Sequence, residues 1–229
     1  MAEYRVEELV KEVRVALDEN ATSEQLRGFG DSETLTLDAI IESKIEGAAK
    51  VIELNAPFHL LDGGEGFCDS ENPIADNSVA WASGEVGIGY GVAKLPDDFL
   101  RLVSFKMSDW DYAVTTAITE DDPRYAMQHS RYGGIKGNPQ RPVVAVVQRP
   151  SGLCLQFFTC RGGAEVTVEI AQYIPIPRIA DGKISVCEKL KPAIVYYAAY
   201  QTALTLGSSE LAAALLLMAK ELAEITEQQ

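Results

Sequence analysis

Val6, Leu9, Val10, Val13 and Leu17 return at steps of three and four with Glu and Lys between them, so residues 3–19 read as an amphipathic helix. Residues 20–34, with Gly28 and Gly30, read as a connector. A second helix begins near Leu37 and places Ile40, Ile41, Ile45, Ala48, Val51 and Ile52 on one face. Asn55-Ala56-Pro57 ends it, because the residue before a proline avoids helical backbone.

The period changes after Phe58. Gly, Pro, Asn and Asp crowd the chain as far as Asn77, and two-residue alternation follows. Within residues 79–95, Val86, Ile88, Tyr90 and Val92 make an apolar face and Gly87, Gly89 and Gly91 leave the other face bare, which suits a strand with a close neighbour. Val103, Phe105 and Met107 alternate again, residues 113–118 are a further candidate strand, and residues 121–130 read as a short helix opening at Asp122-Pro123. Residues 143–148, 153–159 and 166–174 read as an antiparallel meander. Arg149-Pro150-Ser151-Gly152 supplies its first turn and Arg161-Gly162-Gly163 its second.

Pro175 and Pro177 close the β region and two helices finish the chain. The first runs from Glu188 or Pro192 to Leu206. An early start would let Ser185 and Glu188 form a capping box, and a late one puts Pro192 in the first turn. Gly207 and Ser208 then give a C′ glycine followed by an N-cap, and Leu211, Ala214, Leu215, Met218, Leu222 and Ile225 line the last helix. The expected fold is α+β: a four-helix bundle of two N-terminal and two C-terminal helices, interrupted by an antiparallel β-rich insertion. The corresponding segments are residues 1–56, 57–178 and 179–229.

Composition narrows the function classes. The longest apolar run, Leu211 to Ala219, falls short of the roughly 20 residues a membrane span needs, and the charged opening residues differ from a secretory signal, so a soluble cytoplasmic product is expected. Cys68, Cys154, Cys160 and Cys187 lack metal-ligand spacing and read as reduced, mostly buried thiols. The net charge of −14 argues against a phosphate-gripping surface. It is also polarised: residues 57–122 carry 13 acids against 3 bases, and residues 123–178 carry 2 against 7.

Candidate chemistry is sparse. Gly87-Ile88-Gly89-Tyr90-Gly91 resembles a phosphate-cradling loop, but the alternation runs through it where such loops turn into a helix. Asp97-Asp98, Asp109/Asp111 and Glu120-Asp121-Asp122 lack calcium-loop spacing and suit turns and caps. His59 and His129 lie near no nucleophile signature. No catalytic, cofactor-binding or metal-ligating residue is assigned. The conspicuous stretch is 129–141, basic and glycine-rich with an aromatic, which reads as a flexible arm touching nucleic acid or a partner protein, or as a solvated loop, with nucleic acid disfavoured by the acidic remainder of the chain. Arg131, Tyr132, Lys136, Arg141, Arg149 and Arg161 are the candidate subunit or partner contacts, facing carboxylates of residues 57–122 either on a neighbour or within the same chain.

Leu95-Pro96-Asp97-Asp98-Phe99-Leu100-Arg101-Leu102-Val103, followed by Ser108-Asp109-Trp110, resembles the head-tail adaptor proteins of tailed bacteriophages, also called connector ring or gatekeeper proteins. So does Leu190-Lys191-Pro192-Ala193-Ile194-Val195-Tyr196-Tyr197-Ala198-Ala199-Tyr200. The likeness is closest to short-tailed phages, with the ring proteins of crAss-like phages as a subgroup. It implies a non-catalytic structural subunit of a homo-oligomeric ring, commonly of twelve copies, between the portal protein and a tail or second ring protein at the virion's head-tail junction. DNA would pass through the channel without specific binding, and the acidic excess suits a wall that repels phosphate. Another virion tail component, such as a hub or tube-associated protein, is the alternative reading. A small-molecule enzyme with a non-obvious site is a more remote one.

Overall fold

The computed structural model describes residues 1–17, 36–67, 89–130, 132–150, 152–160 and 167–225. Along the chain run β1 (Ala2–Arg5), α1 (Val6–Ala16), α2 (Leu37–Asn55), β2 (Glu65–Gly66), β3 (Gly89–Lys94), β4 (Phe99–Met107) and β5 (Ile118–Thr119). There follow α3 (Pro123–Gln128), β6 (Val143–Arg149), β7 (Gly152–Cys160), β8 (Val168–Pro175), β9 (Ile179–Ala180), β10 (Lys183–Val186), α4 (Lys191–Thr205) and α5 (Ser209–Leu222). The chain is thus mixed α+β. It divides into two compact units, one of residues 1–62 with 176–229 and the other of residues 63–175.

In the first unit α4 is the hub and packs against α1, α2 and α5. It buries Ala193, Ile194, Val195, Ala198, Ala199, Thr202 and Ala203, and the run of alanines lets its neighbours approach closely. Opposite it lie Val6, Leu9, Val10 and Val13 of α1 and Ile41, Ile45, Ala48, Ala49 and Ile52 of α2; of the expected α2 face Ile40 and Val51 are only half-buried, and Ala49 joins it. Thr36 caps α2 by accepting the Ala39 N–H, and the helix stops before Pro57 as expected. Pro192 lies in the first turn of α4, where its missing N–H costs no hydrogen bond. A single 3₁₀ turn, Glu188–Leu190, precedes it; Ser185 lies in β10 and the anticipated capping box does not form. Gly207, at φ 82°, ends α4 with paired bonds from Gly207 N to Leu204 O and from Ser208 N to Ala203 O.

Two features of this unit differ from the sequence expectation. Residues 2–5 are a strand rather than the opening of the first helix, because they pair antiparallel with β10 in a three-stranded sheet ordered β1-β10-β9. Residues 179–186, assigned above to the C-terminal helices, are a β-hairpin. Asp181 and Gly182, at φ 51° and 72°, form its two-residue turn, the Asp-Gly signal of a type I′ hairpin that was present in the sequence.

The second unit pairs two sheets, ordered β2-β8-β4 and β3-β7-β6-β5. They meet face to face through Phe105, Met107, Leu102 and Ala171 on one side and Phe157, Leu155, Ala93 and Val144 on the other, with Phe105 and Phe157 ring centroids 5.0 Å apart. Trp110 packs edge-on against Phe105. The opposite face of the four-stranded sheet is covered as well: Ile118, Ala145, Val147, Cys154 and Phe158 form a second cluster with Tyr125 of α3.

The meander is half realised. β6 and β7 form the expected hairpin, but β8 joins the facing sheet and pairs with β4 and β2. The place beside β7 is taken by β3, whose bare glycine face admits Phe157: a Cβ on Gly91 would stand 2.1 Å from that ring. The remaining glycines of that stretch before Gly89, and the Arg161-Gly162-Gly163 turn, lie outside the described residues. The strand expected over 113–118 is reduced to one bridge, Val114 with Phe105, and the short β5, because the chain there crosses from one sheet to the other.

Candidate partner-binding surfaces

The segment after α3 is tied back to its surroundings at residues 137–141. Asp122 caps α3 by accepting the Arg124 N–H at 2.8 Å, and Gln128 at its end is buried. The Gln128 amide donates to the Arg124 carbonyl at 3.0 Å and accepts the Gly137 N–H at 2.7 Å, tying 137 back to the helix. Gly137 is pressed so closely on β7 that a Cβ would lie 2.8 Å from the Phe158 carbonyl oxygen. Beyond it, the Asn138 side chain accepts the Gln140 and Arg141 N–H groups, and Asp111 N–H donates to the Pro139 carbonyl.

Within this segment Met127, Tyr132 and Ile135 are exposed, Tyr132 by 64%. Three large exposed apolar side chains within nine residues make a candidate adhesive strip. Lys136, Arg141 and Arg149 stand beside it in sequence and fold. Among the described residues none of these three comes within ion-pair distance of a carboxylate, so the in-chain neutralisation considered from the sequence is not seen for them. Arg149 and Lys136 instead face His129, which packs edge-on against Tyr90, Tyr125 and Phe158. Burial, then the two nearby cations, lower the His129 pKa. Of the sequence-selected contacts, Tyr132, Lys136, Arg141 and Arg149 therefore share one region, and Arg131 and Arg161 lie outside the described residues.

A second adhesive surface escaped the sequence reading. In α5 the stripe turned inward is Ala212, Leu215 and Ala219, continued by Ala223, so Leu211, Met218 and Leu222 of the expected inner face are exposed, as is Leu217. Small residues win the contact because α4 opposite is itself alanine-rich and the two backbones close up. A helix apolar on nearly every side is normally buried on every side, a signal present in its composition.

The remaining candidates serve structure. Asp98 accepts the Tyr173 hydroxyl at 3.0 Å, and burial followed by this carboxylate raises the Tyr173 pKa to about 12. Asp97 lies 3.8 Å from Lys94, and a bidentate Arg124 holds Asp122 below the usual carboxylate range. His59 contacts Glu224 at 3.0 Å. No cluster of three or more His, Cys, Asp or Glu suited to a metal occurs among the described residues, and no helix there is long and apolar enough to cross a membrane. Cys154 and Cys187 are buried thiols in no disulfide among the described residues; Cys68 lies outside them.

The segments carrying the phage-adaptor resemblance fall on packing positions. Leu95, Leu102, Val103 and Trp110 are buried in the second unit, and Leu190, Ala193, Ile194, Ala198 and Ala199 in the first. Comparison with known proteins returns no match, either to a family model or to a curated sequence.

Proposed function

We propose that this chain is a structural subunit of a bacteriophage head-tail connector ring, which joins portal to tail and surrounds the DNA channel. In this reading α1, α2, α4 and α5 act as one four-helix bundle from which residues 63–175 branch. The observation that carries it is α5, a helix apolar on nearly every side yet buried on one side only among the described residues. Such a surface is completed by another protein. The exposed strip Met127, Tyr132 and Ile135 supplies a second, unlike adhesive face, and closed rings are built from two unlike faces that meet head to tail. The resemblance of residues 95–110 and 190–200 to adaptor proteins supports the same assignment, and the net charge of −14 suits a channel wall that does not retain DNA.

Native mass spectrometry and electron microscopy of the full chain, alone and co-produced with the portal protein of its own genome, test the reading. Rings of many copies, twelve by the resemblance, are expected. A chain that stays monomeric or dimeric in both preparations excludes it.

A further inference from the structure

We infer that the solvent-facing side of α5 receives the next copy of this chain, and that the part it receives is the surface bearing Met127, Tyr132, Ile135, Lys136 and Arg141. The inference rests on the ring reading and names the two faces that meet.

The outer side of α5 has a defined composition. Leu211, Met218 and Leu222, at positions i, i+7 and i+11, form one exposed ridge. Glu210 and Glu221 stand in the adjoining row, exposed and in no ion pair among the described residues, and Leu217 lies beyond them, 59% exposed. The surface is therefore apolar with acidic rows. The strip of Met127, Tyr132 and Ile135 is apolar with basic neighbours, and among the described residues Lys136 and Arg141 likewise have no carboxylate within ion-pair distance. Each surface has what the other lacks: apolar side chains for the centre and unneutralised charge of opposite sign for the rim. Two copies of α5 laid against each other would instead bring glutamates together.

Size agrees with a partner of this kind. The four exposed α5 side chains present on the order of 300 Å² of apolar surface, within the range of the largest patch on a monomer. A stable interface takes about 800 Å² per partner, so this ridge is large enough to be its centre with a polar margin around it.

The test is a charge exchange on the full chain, read by sedimentation velocity at low and high salt, with circular dichroism melting to confirm folding. Glu210→Lys with Glu221→Lys on one face, or Lys136→Glu with Arg141→Glu on the other, should each weaken assembly roughly tenfold at low salt. The four changes combined should restore assembly to within about threefold of the native chain. Met218→Asp, which places a charge on the ridge, should weaken it at any salt. A native chain that assembles but does not respond to these α5 changes overturns the inference and leaves the ring reading standing. Reversals that weaken assembly without mutual rescue overturn the pairing of these two faces. A native chain that never assembles, alone or with portal, overturns both.

Discussion

Glu53 lies near the end of α2 with its side chain wholly buried, and its carboxylate accepts the Cys187 N–H at 2.7 Å just ahead of α4. Desolvation raises its pKa to about 7, more than the hydrogen bonds from Cys187 lower it, and the charge of Asp62 pushes the same way. The neighbouring Cys187 thiol is pushed up to about 12, chiefly by burial. A carboxyl group whose pKa is higher folded than unfolded contributes stability that is fully present below about 4.5 and is lost as pH rises through about 7. The midpoint of thermal unfolding of the first unit should fall between pH 5 and pH 8, with Glu53 contributing up to about 3 kcal/mol of the change. Glu53→Gln keeps an oxygen for the Cys187 N–H and should flatten that slope; an unaltered slope would remove Glu53 as its source. Nothing in the sequence marks this residue. It follows Ile52 on a helix, and its partner is 134 positions away.

At the scale of elements, the outcome depended on how strongly each pattern excluded its alternatives. α2 was legible to its end because one apolar stripe and one proline allow a single answer. For α5 the type of element was legible but its orientation was not, since leucine occupies most sides and the choice fell to the alanines of α4. The short hairpin of β9 and β10 is encoded in Asp181-Gly182, although Pro175 and Pro177 just ahead of it read as the close of the β region. The placing of β8 depended on competition for β7, which a single strand's alternation does not reveal. Gly91 decides that competition by giving Phe157 its room. Gly91→Val should destabilise the second unit by about 1–3 kcal/mol through overpacking, measured by urea unfolding. Phe157→Leu in the same chain should recover part of the loss. If Gly91→Val is neutral, the glycine face is not what seats β3.

At the scale of the molecule, the division of the chain was legible as a change of texture near residue 57 and again near 178, whereas the units divide at 62 and 176. The second unit brings its own ends together: β2 pairs with β8, so Glu65 lies opposite Tyr173, and Gly64, at φ 70°, passes so close to the Tyr173 carbonyl that a Cβ would sit 2.4 Å away. A segment with adjoining ends and its own core should stand alone. Residues 63–175 produced separately should give a single cooperative melt and dispersed amide resonances. A disordered product would show that the second unit depends on the first. The proposed contact faces were legible only in part, because exposure of a leucine is a property of the whole packed unit, while the basic residues were visible as a local excess of charge.

The interrupted course of the first unit also sets an order of events during synthesis. α1 and α2 leave the ribosome early, yet the helix that covers both their stripes is completed only at Thr205, about 150 residues and roughly 10 to 30 seconds later. If the inserted unit folds alone as predicted, it is complete at Pro175 and can finish in that interval. The nascent chain would then hold a finished β unit and two unsatisfied helices at once. Its window of greatest exposure to aggregation or to chaperones opens at residue 55 and closes when α4 emerges.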